Sequence, residues 1–304
     1  MSHPVLAVSG ASKLIRTPFS RKPGFRVGPL DLSIAKAEIV GLIGANGAGK
    51  TSTIKLLLGL LVPDHGRIEL AGALSTTNGW RSKVGYLPEQ PAFYDYLSGF
   101  EFMRFMGRLF DMDRKGLDAR VDRLLDRVGL FESRHRAIRT YSKGMLQRLG
   151  LAQALINDPE LLIMDEPMSG LDPLGRRFVR DLMMELRSEG RSILFSTHII
   201  PDAEYVCDRV ALMRGGQLVA VGTFDELLGI PTEFEVVCVR LAHRAVSITS
   251  EADKESRRIS VRVNQSELAS TIGQFVAQGS QLVSVSPVRM SVEDLLTPTK
   301  GGGN

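Results

Sequence analysis

Cysteine and tryptophan are scarce: among 304 residues there are two of the first and one of the second. Cys207 and Cys238 stand in separate segments, with neither a C-x-x-C pair nor a Cys/His spacing around them. That excludes a disulfide framework and a zinc cluster, and it fits two packed thiols in a reducing compartment. Long apolar runs are missing too. The longest, Ile54 to Val62, is interrupted by Lys55 and falls far short of the roughly 20 residues that span a bilayer. Residues 1–25 lack the apolar core of a secretion signal, and they carry Lys13, Arg16, Arg21 and Lys22 among turn formers. The expectation is a chain that neither crosses a membrane nor is exported.

What is present is ordinary for a globular protein, with 43% hydrophobic and 24% charged residues and a net charge of +4. This mild excess is compatible with nucleic acid, anionic lipid or no charged partner at all. Basic residues crowd one third of the chain, from Arg104 and Arg108 through Arg120, Arg123 and Arg127 to Lys143 and Arg148. They read as a solvated helical face partly balanced by Asp118, Asp122 and Asp126, with a face turned to anionic head groups as the alternative.

Apolar periodicity gives strands at Val5–Val8, Leu30–Ile34 and Ile39–Ile43, then a helix over Thr51–Leu61 closed by Pro63-Asp64 and Gly66. Gly66–Ala71 and Lys83–Leu87 read as further strands. From Ser98 to about Asn157 the pattern is almost wholly helical, at Phe100–Phe110, Gly116–Val128 and Lys143–Ile156. Strand pattern returns at Leu161–Met164, helix at Pro173–Arg187, strand at Ser192–Ser196, and a hairpin at Arg209–Gly222 turns on Gly215-Gly216. Strands alternating with helices predict an α/β fold with a mostly parallel sheet, and ligands at the carboxyl ends of its strands. A helical insertion over about 91–158 interrupts that frame. After a short helix at Thr223–Leu228 the composition shifts. Glu233–Arg240 and Arg257–Val263 read as exposed-edge strands, Glu267–Gln278 as helix and Gln281–Val288 as strand. The predicted division is therefore a main domain over 1–230, a small α+β domain over 231–298 and a Gly-rich disordered tail over 299–304.

Gly44-Ala45-Asn46-Gly47-Ala48-Gly49-Lys50-Thr51, with Ser52 following, fits G-x-x-x-x-G-K-S/T between a buried strand and a helix. Glycines let the backbone N–H groups turn inward around phosphates, and the helix N-terminus adds partial positive charge. Lys50 then reaches the β- and γ-phosphates of ATP, and the Thr51 hydroxyl holds Mg²⁺. The apolar strand Leu161–Met164 ends in Asp165-Glu166 at the same edge. Asp165 is the metal-side acid, and Glu166 is placed to orient or deprotonate the attacking water.

Tyr141-Ser142-Lys143-Gly144-Met145, followed by Leu146-Gln147-Arg148-Leu149, resembles the signature motif of the ABC ATPases, usually written LSGGQ. It departs from that wording at Tyr141, Lys143 and Met145, in a manner similar to the bacterial exporter branch. Ser169-Gly170-Leu171-Asp172 resembles the family's D-loop, and His198 its switch histidine. The resemblance covers about residues 5–228, and the C-terminal piece, with its closing Ser291-Val292-Glu293-Asp294-Leu295-Leu296, resembles the accessory domain of exporter ATPases. It implies a P-loop NTPase core in which two copies stack head to tail. Ser142 and Gly144 of one copy, with the D-loop Asp172, then complete the site of the other, so the partner is a second copy or a homologous ATPase. By position Glu89 takes the Q-loop place, by chemistry Gln90 suits it, and either could contact metal. The adenine-stacking aromatic is Phe19 or Phe25.

The resemblance further implies an ATP hydrolase that powers export through a separately encoded transmembrane permease. The chain would sit peripherally at the cytoplasmic face of the inner membrane, with no nucleic acid partner, and dock through the segment around Pro91–Leu109. The rival is a soluble ABC ATPase acting on ribosomes or nucleic acid. It would call for two nucleotide domains in one chain or a long coiled coil, and neither is seen.

Overall fold

The computed structural model describes residues 3–16, 24–229, 233–240 and 257–288. They fall into two compact units, Met1–Thr223 and Phe224–Asn304. The division thus precedes the short helix at 224–228, where composition alone places it after 230.

The first unit runs β1 (Leu6–Ile15), β2 (Phe25–Ile34), β3 (Ile39–Ile43), α1 (Lys50–Leu57), β4 (His65–Leu70), β5 (Ala73–Leu74) and β6 (Val84–Leu87). Three helices follow, α2 (Gly99–Arg108), α3 (Arg114–Arg127) and α4 (Lys143–Ala154). The chain then returns to β7 (Leu161–Met164), α5 (Pro173–Ser188), β8 (Ser192–Thr197), α6 (Ile200–Val206), β9 (Arg209–Arg214) and β10 (Gln217–Gly222).

Six strands form a sheet in the order β10-β9-β3-β8-β7-β6, parallel except for the β9–β10 hairpin. Every residue of β3, β7 and β8 is buried, as strands covered on both faces require. The register aligns Ile43 with Thr197 and Leu87 with Met164. The carboxyl ends of β3, β6, β7 and β8 therefore open on one edge, and the loops that leave them converge there.

The amino-terminal strands do not join this sheet. They form a separate antiparallel one, β2-β1-β4-β5, in which β1 runs well past the Val5–Val8 of its apolar pattern, to Ile15, and pairs on both sides. Leu6, Ile34, Leu42, Ile54, Leu56, Ile163 and Leu194 share the core between the two sheets.

Local chemistry sets the helix ends. Ser98 and Glu101 form a reciprocal capping box at α2. Asp113, Ser142 and Asp172 each accept a first-turn N–H of α3, α4 and α5. Helix α1 stops at Leu57, short of the expected Leu61, because Gly59 takes a left-handed φ of 63°. Between α3 and α4 the chain makes short 3-10 turns at Phe131–Ser133 and Ile138–Thr140 in place of continuous helix.

The basic face of this block is held by carboxylates: Arg104 pairs with Asp118 at 2.8 Å, Arg134 with Asp122 at 3.2 Å, and Arg127 with Glu185 and Glu189 at 3.0 and 2.7 Å. Cys207 and Cys238 are free thiols. Burial, aided by the Asp208 charge, pushes the Cys207 thiol up.

The second unit contains α7 (Phe224–Leu228), β11 (Glu233–Arg240), β12 (Arg257–Asn264), α8 (Gln265–Ala277) and β13 (Ser280–Val288). Its sheet has the order β12-β11-β13. β11 is therefore central, not an exposed edge. Val236 and Cys238 are buried against Leu268, Ile272 and Phe275. Ser291–Leu296 and the tail 299–304 lie outside the described residues.

Candidate nucleotide site

The glycine-rich loop leaves β3 and turns into α1. Gly47 and Gly49 hold φ of 80° and 108°, values that residues with a Cβ rarely adopt. The turn of the β9–β10 hairpin anchors the loop, the Gly216 N–H donating to the Ala48 carbonyl at 2.8 Å. Helix α1 has Gly49 as its N-cap, so no side chain caps its first N–H groups. Those donors are left facing a cavity of about 490 Å³ at the sheet edge.

Phe25, Asn46, Gly47, Gly49, Lys50, Thr51, Ser52, Glu89, Glu166, Ser169 and His198 line that cavity. The Lys50 ammonium, 6% exposed, donates to the Gly44 carbonyl at 2.7 Å, approaches Ala45 O at 3.4 Å, and lies 3.1 Å from Glu166 Oε1. His198 Nδ1 is 2.9 Å from Glu166 Oε2. One carboxylate therefore bridges the phosphate-loop lysine and the histidine that leaves β8.

Asp165 sits just beneath, 1% exposed. Its N–H donates to Leu87 O at 2.8 Å, and its Oδ1 accepts the Ser196 hydroxyl at 2.6 Å. The same Ser196 oxygen accepts the N–H of Glu166 at 2.8 Å. Burial, reinforced by the Asp165 charge, raises Tyr86 to about 12.

Of the residues read from the sequence, the loop, Glu166, His198 and Phe25 come together here. Gly44 and Ala45 meet it through their carbonyls, and Ala48 is buried behind. Phe25 opens β2, with its ring packed against Gly49 and Gly216. Phe19 lies outside the described residues. Glu89 lines the cavity and Gln90 is not among its lining residues. Ser142, Gly144 and Asp172 are absent from that lining as well: Ser142 and Asp172 cap α4 and α5, and Gly144 lies in the first turn of α4. Helix α4 still meets the acidic loop from behind, where the buried Gln147 Nε2 donates to Pro167 O at 2.8 Å.

Ser196 escaped motif spacing. Its only trace in the sequence is a hydroxyl that ends the apolar run Ile193-Leu194-Phe195, just before Thr197.

Asp165 forms no ion pair among the described residues, and a buried carboxylate without a cation is costly. The described residues hold no cluster of three or more His, Cys, Asp or Glu fit for a metal. Thr51 lines the cavity and Asp165 lies outside its lining; both are hard oxygen donors, of the kind that magnesium takes.

The sequence profile of the ABC transporter family matches residues 27–169. An ABC transporter ATP-binding protein of Synechocystis sp. is 37% identical over 93% of this chain and 81% of its own length. The fluoroquinolones export ATP-binding protein of Mycobacterium tuberculosis is 38% identical over 73% of this chain and 72% of that one. A solved ATP-binding subunit of an ABC transporter superposes with a TM-score of 0.66 at 31% identity, covering 73% of this chain and 91% of the other. With its phosphate loop, acidic strand and switch-position histidine converging on one cavity, the chain belongs to the ABC transporter family, as one of its ATP-binding proteins.

Proposed function

We propose that this chain is the ATP-hydrolysing subunit of an exporter, working as a dimer on a separately encoded transmembrane permease at the cytoplasmic face of the inner membrane. The observation that carries the reading is the uncapped start of α1, with Lys50, Glu166 and His198 gathered on the same cavity.

The Lys50 ammonium and the free N–H groups of the loop bind the phosphates of ATP. Phe25 offers a ring for the base beside the loop. Glu166, held through its other oxygen near His198, takes a proton from the water that attacks the γ-phosphorus. Thr51 and Asp165 would hold Mg²⁺, with Glu89 at the rim, and the bound ion would supply the positive charge that neutralises the phosphate oxygens.

The cavity is open to solvent. Ser142 and Gly144 stand at another helix start, outside the cavity lining of their own chain. Donors from a second copy would close it and exclude water.

Export is supported by the similarity to the mycobacterial fluoroquinolones export protein. No helix among the described residues is long and apolar enough to cross a membrane, which is compatible with a separate permease. Tyr94, Tyr96 and Leu109, exposed by 49%, 68% and 61%, give the helical block an aromatic and apolar outer surface suited to docking on it.

The test is affinity purification of the tagged full chain from solubilised membranes, followed by sedimentation with and without ATP. Recovery of a multi-span protein and ATP-dependent doubling of mass support the reading. Recovery of ribosomes in its place would favour the soluble rival, and a monomer hydrolysing at full rate would remove the dimer.

A further inference from the structure

Every residue of β8 is buried, and Ile193, Leu194 and Phe195 are each 0% exposed. Ser196, also 0% exposed, follows them directly. An apolar β-branched residue would suit such a strand better. The serine hydroxyl instead makes two hydrogen bonds at once, donating to Asp165 Oδ1 at 2.6 Å and accepting the Glu166 N–H at 2.8 Å.

The second bond falls at an unusual backbone position. Glu166 has a φ of 48°, in the left-handed region that side-chain-bearing residues avoid. In that conformation its carboxylate lies between Lys50, at 3.1 Å, and His198, at 2.9 Å. An extended backbone at residue 166 would direct the side chain elsewhere.

We propose that Ser196 is a positioning residue for hydrolysis: its buried hydroxyl clasps the Asp165 carboxylate to the Glu166 peptide, holding the left-handed turn that aims Glu166 into the nucleotide cavity. The proposal rests on reading Glu166 as the acid that handles the attacking water. Ser196 is not itself among the residues that line the cavity and reaches it only through Glu166, so its effect falls on the chemical step rather than on nucleotide binding. Removal of the hydroxyl strands a buried N–H and releases the turn.

The experiment compares the full-length chain with Ser196→Ala, Ser196→Cys, Glu166→Gln and the Ser196→Ala/Glu166→Gln double variant. It measures kcat, KM, equilibrium binding of a fluorescent ATP analogue, and thermal unfolding. Ser196→Ala should lower kcat by about 10- to 100-fold, with the analogue's Kd within about twofold of wild type. Ser196→Cys, close in size and carrying a weak donor, should fall between the two. The double variant should be no slower than Glu166→Gln alone, since both changes act through one carboxylate.

A wild-type kcat in Ser196→Ala or Ser196→Cys overturns the proposal. So does a loss of affinity as large as the loss of kcat, or a double variant with additive losses. Where Ser196→Ala fails to fold, Ser196→Cys decides by the same measurements. An inactive Glu166→Gln beside a fully active Ser196→Ala removes Ser196 alone. An active Glu166→Gln removes the acid role of Glu166, and the proposal with it.

Discussion

The Lys50 ammonium lies 3.1 Å from Oε1 of Glu166, and the two side chains are only 6% and 10% exposed. On the proposed reading, the lysine that meets phosphate and the acid that meets water are partners in this structure. A nucleotide would have to compete for that lysine. Binding would separate the pair and leave the carboxylate free to accept a proton.

This competition predicts an asymmetric result for Glu166→Gln. The amide is a weaker partner for the ammonium, so ATP should bind about 3- to 10-fold more tightly, an effect of order 1 kcal/mol. Turnover should fall by at least about 100-fold. Equilibrium binding and steady-state hydrolysis on one preparation check both, and weaker binding by the variant would contradict the competition.

Lys50→Ala loses the charge that the phosphates seek. ATP affinity should drop by about 100-fold or more, the scale of a charge-assisted contact in a partly desolvated site. A fluorescent nucleotide titration reads it directly, and unchanged affinity would displace the glycine-rich loop from its assigned role.

The capping box of α2 predicts an acid-sensitive helix start. The Ser98 backbone N–H, then the Ser98 hydroxyl, hold the Glu101 carboxyl below its ordinary value of 4.5. A lowered folded-state value means the stabilisation is present above the ordinary value and is lost as pH falls through the lowered one. Thermal unfolding of wild type and Glu101→Gln should therefore differ most near neutrality and converge in acid. A gap of constant size across that range would count against the box.

Phe102 is 2% exposed and meets Phe93 edge to face at 5.2 Å. Phe102→Ala should cost about 3–5 kcal/mol by cavity formation, read as a lower denaturant midpoint. A loss below about 1 kcal/mol would show that the helical block does not unfold with the rest.

The sequence made the phosphate loop and the acidic strand legible because both tie residue identity to backbone geometry: Gly47 and Gly49 must reach positive φ, and Asp165-Glu166 must end a buried strand. The uses of Ser142 and Asp172 as helix caps follow the same logic, since a side-chain oxygen before a helix serves free N–H groups at short range. Long-range facts were not legible. The central place of β11 depends on pairing with β13, from Arg240 with Ser280 to Glu233 with Val288, and alternation alone marks a strand without ranking such distant neighbours. Ser196 serves residues 30 and 31 positions upstream, a relation visible only once β7 and β8 lie side by side. The early stop of α1 at Gly59 was available in the sequence, but Pro63 is the louder punctuation.

The hydrogen bond from Gln147 to the Pro167 carbonyl is 2.8 Å long and sealed from solvent. Water cannot substitute for either end, so α4 cannot tilt away without stranding two polar groups or dragging the Pro167 peptide along. That peptide adjoins the carboxylate that faces the cavity. A pull on the outer helices would thus be felt one residue from Glu166, with the Gln147 amide as one of the linkages.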